Sequence, residues 1–169
     1  MIFFRPYKKS DAKYLISWVK DEVTFSNWCS NLFQYPLTPQ QLDIYYHYYD
    51  TTTNGFPITA VDQSGTPVGH ILIKDVAYTK SAYFSFVLLD PQKRKQGIGK
   101  EMISTAIMYV SQLLQCQKIT LKVFENNLSA RKCYLSAGFQ DIAYEKEVFA
   151  FHEQLWGCYT MEWKKHGKG

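Results

Sequence analysis

Residues Gln92, Lys93, Arg94, Lys95, Gln96, Gly97, Ile98, Gly99 and Lys100 follow one another as QKRKQGIGK, four cations and two glycines within nine positions. Glycines at 97 and 99 let the backbone come close to a ligand, and the cations beside them attract an anion. If a helix starts at this point, its first-turn N–H groups have no intrahelical acceptor and its partly positive end faces the same spot. That combination can seat a phosphate, with amides setting the geometry and Arg94, Lys95 and Lys100 adding a salt-sensitive capture. Two familiar phosphate loops do not fit. A P-loop needs GxxxxGK followed by Ser or Thr, and a dinucleotide fingerprint needs GxGxxG, whereas the chain reads QGIGKE and places Met102 at the third glycine position. A plain solvated turn is the remaining alternative.

The elements around this stretch decide between a seat and a turn. Upstream, residues 82–89 form a nearly continuous apolar run with β-branched and aromatic members, as in a strand covered on both faces, and Asp90-Pro91 ends it. Downstream, Ile98, Met102, Ala106, Tyr109, Val110 and Leu113 recur in threes and fours, which predicts a long amphipathic helix from Gly97 to about Cys116. Ile119, Leu121 and Val123 alternate as a strand. A shorter helix over 128–137 ends at Gly138, placed to take positive φ, and Phe139 opens another strand.

Nearer the start, Ser10 is the expected N-cap of a helix running to about Asp21, followed by an aromatic, weakly periodic stretch, VTFSNWCSNLFQYPL. Thr38, Pro39 and Gln41 form a cap, a first-turn proline and a box residue for a helix to about Tyr49, and Thr51 to Gly55 closes it. Residues 57–62 and 67–75 read as a hairpin around Gln63-Ser64-Gly65-Thr66. The last strand falls at about 157–163, and YEKEVFAFHEQLW carries no clear period. This order of helices and strands implies a mixed α/β sheet with helices on its faces, and the crossover helix favours parallel pairing of the two strands it joins.

With 169 residues, 46% of them hydrophobic, one domain spanning 1–169 is expected, with 164–169 as a frayed end. The balance of 19 Lys plus Arg against 15 Asp plus Glu is only modestly basic, and its one compact run is ligand-sized, which argues against nucleic acid. Cys29, Cys116, Cys133 and Cys158 are far apart with no CxxC, so no metal site and a reduced, cytoplasmic setting are expected. No stretch approaches the roughly 18–20 apolar residues of a membrane span.

Two segments together carry a family resemblance. RKQGIG, residues 94–99, fits the R/Q-x-x-G-x-G/A signature of the GCN5-related N-acetyltransferase superfamily, and LKVFENNLSARKCYLSAGF, residues 121–139, resembles that family's strand, Asn-x-x-Ala and Tyr-x-x-x-Gly-Phe region. The resemblance implies the acyl-CoA N-acyltransferase fold: a central mixed, mostly antiparallel sheet with a splayed parallel strand pair, flanked by helices. It implies acetyl-coenzyme A as cosubstrate, its pyrophosphate held from Gln96 through Gly97, Ile98 and Gly99 to Lys100, with Arg94 and Lys95 beside it. Leu88 and Leu89 would border the pantetheine arm, Asn127 would bond it or its neighbouring backbone, and Ala130 would permit close approach.

Acetyl transfer to an amine needs a polarised carbonyl, a neutral amine and a proton for the departing thiolate. The Leu89 amide is the candidate carbonyl contact and Tyr134 the candidate proton donor, as the matching Tyr is in relatives; a phenol of reference pKa about 10 is protonated at neutral pH. Many relatives carry a Glu in the strand before the signature, and 82–89 holds no carboxylate. His70 and Glu125 are the candidates for base, with water or an already neutral amine as alternatives. Trp28 and Phe33, with Phe25 and Tyr35, are candidates for an acceptor pocket or for core, and Asp21 and Glu22 for meeting a cationic amine or solvent. Cys133 has no base nearby in sequence, so direct transfer is expected. The acceptor is an amine-bearing small molecule or peptide, the assembly a monomer or homodimer, and a non-catalytic coenzyme A-binding sensor is the alternative function.

Overall fold

The computed structural model of the chain describes residues 1–52, 55–74 and 80–165. Apolar, β-branched and aromatic runs form β1 (Phe3–Pro6), β2 (Gly55–Val61), β3 (Pro67–Lys74), β4 (Ser81–Leu89), β5 (Lys118–Phe124), β6 (Gln140–Phe151) and β7 (Gln154–Lys164). They make one sheet in the order β1-β2-β3-β4-β5-β7-β6, antiparallel except where β4 meets β5. This is the expected mixed fold with helices on both faces.

Helices α1 (Ala12–Trp18), α2 (Glu22–Cys29) and α3 (Pro39–Thr51) cover one face. Leu15, Trp18, Phe25, Trp28, Leu42 and Tyr45 pack there against Leu72, Phe86 and Leu88. Helices α4 (Ile98–Met108) and α5 (Leu128–Ser136) cover the other, where Met102, Ile103 and Ala106 meet Ile71, Ile73, Phe84, Ile119 and Leu121. Each fully buried Leu, Ile or Phe contributes about 1.5–3 kcal/mol, so the two cores hold the helices in register with the sheet.

Local chemistry explains most boundaries. Thr38 Oγ1 accepts from the Gln41 amide at 3.3 Å with Pro39 in the first turn, as expected. Gly138 takes φ 98°, and the Phe139 amide donates back to the Tyr134 carbonyl at 3.1 Å, closing α5. In the β2–β3 turn Asp62 Oδ1 accepts from the Ser64 and Thr66 amides. The hairpin's expected end at Asp75, the Thr53-Asn54 pair and residues 166–169 of the tail lie outside the described residues.

Five readings are corrected. Ser10 is not the N-cap of α1, because Lys9–Asp11 form a 3₁₀ turn and Asp11 stands at the cap position. The helix stops at Trp18 instead of Asp21, since Asp21 starts α2 by accepting from the Thr24 amide at 2.8 Å. The weakly periodic stretch is therefore partly helical, its signal blurred because polar Ser26 is buried with Phe25, Trp28 and Cys29 while apolar Val23 is exposed. Helix α4 ends at Met108 and continues to Leu113 as a wider π-turn. Finally, YEKEVFAFHEQLW belongs to a β6–β7 hairpin; β6 is a mostly exposed edge strand, so it lacks the alternation that burial on one face imposes.

Asp11 is the main buried charge, 2% exposed. Its carboxylate accepts from Arg5 Nη1 and Nη2 at 2.7 and 2.8 Å, from the Lys8 amide at 2.9 Å and from Thr59 Oγ1 at 2.8 Å. The cluster ties β1 and β2 to the start of α1.

Candidate active site

Strands β4 and β5 run parallel and paired only from Ser81↔Lys118 to Phe84↔Leu121. Beyond that point they part, while β5 stays paired with β7 through Phe124↔Cys158 and β4 stays paired with β3 through Gly69↔Leu89. The result is a V-shaped gap bordered by residues 85–89 and 122–124. A bulge opens it: β3 advances two residues from His70 to Leu72 while β4 advances three from Leu88 to Ser85, and Phe86 takes φ 50°. The extra residue inverts the facing of β4. Ala82 and Phe84 lie in the α4–α5 core, whereas Phe86 and Leu88 lie in the α1–α3 core.

The QKRKQGIGK stretch opens α4 at the wide end of β4. Gly97 is the N-cap at φ 80° with no side-chain cap bond, and a Cβ there would meet nothing within 4 Å. Its glycine is thus required by backbone conformation, while the first-turn amides of α4 keep free donors facing open space. At Gly99 a Cβ would stand 3.4 Å from Cys133 Sγ and 3.4 Å from Leu89 Cδ2, so this turn brings α4, α5 and the end of β4 together. Arg94, Lys95, Gln96 and Lys100 are exposed around it, and Lys95 also has positive φ, 60°. These features fit a diphosphate beside the gap. For Gly97→Ala we expect about 1 kcal/mol lower stability from the left-handed backbone, and weaker coenzyme A binding, read by thermal melts and titration calorimetry.

Of the other expected cofactor residues, Leu88 is buried and Leu89 half-buried against the α4–α5 core. Asn127 caps α5, its Oδ1 accepting from the Ala130 amide at 3.4 Å, and Ala130 packs on the same core. Tyr134, 7% exposed, packs beside the Phe139 ring with centroids 6.0 Å apart. Burial, then its neighbours Cys133 and Tyr83, hold its phenol above the ordinary tyrosine range. Burial likewise raises the Cys133 thiol, which leaves it a poor nucleophile.

On the α2 side the gap widens into a cleft of about 400 Å³. Its walls come from Asn27, Trp28 and Ser30 of the α2 end, Tyr83, Ser85 and Phe86 of β4, Lys122 and Phe124 of β5, and Glu145 and Phe149 of β6. Trp28 therefore lines the cleft, while Phe33 stands behind it, stacked at 5.6 Å and 12°. Phe25 and Tyr35 pack against each other and do not border it. Asp21 is occupied capping α2, and Glu22 meets His152 of the β6–β7 turn at 3.1 Å.

Both expected bases are displaced by the geometry. His70 is 0% exposed inside the α1–α3 side, its Nε2 2.9 Å from the Tyr45 hydroxyl, and burial pulls its pKa down to about 3 against a weaker opposing pull from Asp11. It has no access to the cleft. Glu125 holds the β6–β7 hairpin: it accepts from Tyr144 Oη at 2.6 Å and from the Gly157 amide at 2.7 Å, and these bonds keep its carboxyl below the usual range. The carboxylate that does reach the cleft is Glu145, the sole one among its described lining residues, 2.9 Å from Lys122 Nζ. Sequence reading missed it because it lies on the strand without a legible period; its neighbour across β7, Cys158, also lines the cleft.

Among the described residues no cluster of three or more potential metal ligands occurs, and no helix is long and apolar enough to cross a membrane. The Acetyltransferase (GNAT) family matches residues 20–139. The spermine/spermidine N(1)-acetyltransferase of Bacillus subtilis (strain 168) is 36% identical over 52 residues, 31% of this chain and 34% of that protein. The probable spermine N(1)-acetyltransferase of Bacillus subtilis subsp. natto matches to the same extent, so the aligned stretch spans about a third of these curated relatives. In shape, the crystal structure of spermidine N-acetyltransferase from Vibrio cholerae in complex with CoA and spermine superposes with a TM-score of 0.84 and 18% identity, over 96% of this chain and 95% of that one. That likeness is one of fold.

Proposed function

Because the chain belongs to the GNAT acetyltransferase family, matched over residues 20–139, we propose that it transfers an acetyl group from acetyl-coenzyme A directly to a primary amine. The observation that carries this reading is the gap where β4 and β5 part beyond Phe84 and Leu121, with the uncapped α4 N-terminus at one end and the cleft on the α2 side. Acetyl-coenzyme A, when bound, supplies an acyl group already activated as a thioester.

The residues divide the remaining work. The first-turn amides from Gly97 to Lys100 hold the diphosphate, helped by Arg94 and Lys95, and the freed edge of residues 85–89 offers backbone groups to the pantetheine arm. The Leu89 amide is the group we assign to polarise the carbonyl. Tyr134 stays protonated and holds a donor for the departing sulfur, and Cys133 takes no covalent part. Glu145 replaces His70 and Glu125 as the proton acceptor we assign, directly or through water, since it is the carboxylate that faces the cleft.

Release of free coenzyme A from acetyl-coenzyme A, followed with a thiol reagent against an amine panel and mass identification of the product, tests the reading. Turnover that depends on an amine supports it. Saturable coenzyme A binding without turnover on any amine would favour a non-catalytic sensor, and no binding at millimolar ligand would end both. For Glu145→Gln we expect kcat/KM to fall about 10- to 100-fold, within the usual reach of general-base catalysis, with coenzyme A affinity held.

A further inference from the structure

Resting on the acetyl-transfer reading, we propose that the acceptor is a primary amine that also carries a carboxylate on an apolar body, and that Lys74, Trp28 and Ser85 receive that carboxylate. The cleft's charges point this way. Lys122 and Glu145 are paired at 2.9 Å and largely cancel, whereas Lys74, which also lines the cleft, forms no ion pair among the described residues. Its Nζ lies 5.9 Å from the centre of the Phe86 ring, a polarisable wall that leaves the cation's remaining hydrogens for an anion.

Orphan polar atoms point the same way. Trp28 Nε1 and Ser85 Oγ are buried and have no hydrogen-bond partner, and both residues line this cleft. Trp28 is 7% exposed. Burying a donor without an acceptor is unfavourable, and the indole N–H can only donate, so the missing partner is an acceptor. A carboxylate has two oxygens and accepts from both groups while meeting Lys74. Asn27 Oδ1, an orphan of the cleft that can only accept, suits the amine end together with Glu145. Tyr83, Phe86, Phe124 and Phe149 supply apolar walls between the two ends.

The same features disfavour a polyamine. The relatives named for spermine and spermidine take substrates that are cationic along their length and have no anionic group. Here such a chain would meet Lys74 unopposed, and a single carboxylate among the described lining residues, Glu145, would face its several cations. Like charges in a partly desolvated cleft repel more than they would in water.

Titration calorimetry of the protein, with and without saturating coenzyme A, tests the subsite with three probes: phenylalanine, 2-phenylethylamine, which lacks only the carboxylate, and spermidine. Phenylalanine is expected to bind at least tenfold tighter than 2-phenylethylamine and tighter than spermidine. Lys74→Met, which keeps the stem over Phe86, is expected to shrink that preference about tenfold, and Lys74→Arg to restore it. Equal binding of phenylalanine and 2-phenylethylamine, tighter binding of spermidine, or a preference that survives Lys74→Met would overturn the subsite. Failure of the acetyl-transfer reading is seen separately, as absent coenzyme A binding or release, because the amine titrations need no turnover.

Discussion

Tyr134→Phe is expected to lower kcat about 10²- to 10³-fold while the Kd for coenzyme A changes less than threefold. The substitution removes one oxygen and leaves the ring that packs on Phe139, so the fold should tolerate it. What is lost, on the proposed mechanism, is the proton donor, a phenol that burial keeps neutral. Loss of a positioned acid costs about 10²–10⁴ in rate, and part of that range is recovered if water enters the space. The pH profile adds a second readout. Since the folded-state pKa lies above the ordinary tyrosine value of 10.0, the phenol stays protonated up to at least that pH. The wild-type kcat should therefore show no alkaline fall from this group below about pH 10. A Tyr134→Phe enzyme with unchanged kcat would remove Tyr134 from the chemistry and leave it as core.

Asp11→Ala should cost about 3–5 kcal/mol of stability, the usual range when one partner of a buried pair is deleted. The variant leaves the Arg5 guanidinium, the Lys8 amide and the Thr59 hydroxyl without their shared acceptor. Burial alone would raise the Asp11 pKa, but the Arg5, Lys8 and Thr59 bonds outweigh it and hold the carboxyl below its unfolded value of 3.8. A depressed folded pKa means the contribution is complete above about pH 4 and is lost as pH falls through the folded value. Denaturant melts from pH 7 down to 2 should show wild type losing stability on this acid limb. Asp11→Asn should be weaker at pH 7 and flatter below pH 4; parallel curves for the two proteins would show that Asp11 does not titrate in this way.

How far the sequence could be read follows from the range of the forces involved. Local chemistry is written in neighbouring residues: the Thr38-Pro39-Gln41 start of α3, the Asp62–Gly65 turn and the Gly138 stop each depend on groups within about four positions, and each was found. Periodicity revealed α4 and β5 because each buries one face only. It failed at α2, where polar Ser26 is buried and apolar Val23 exposed, and at β6, where almost nothing is buried. The segment proposed to seat the diphosphate was legible for the same local reason, since glycine at φ 80° and an uncapped first turn belong to one short stretch.

The cleft is different in kind. Trp28, Lys74, Ser85, Lys122 and Glu145 are spread over more than a hundred positions, and they meet only because β4 bulges at Phe86 and parts from β5 while β7 carries β6 alongside. The sequence alone therefore determined the family, the order of elements from α3 to α5, and the segment proposed to receive the diphosphate. Tertiary structure alone decided that His70 is sealed in the core, that Glu125 is spent on the hairpin and that Glu145 faces the cleft. The physical reason is that whether a titratable group is available depends on burial and on who already bonds to it, and both are set by chain segments distant in sequence.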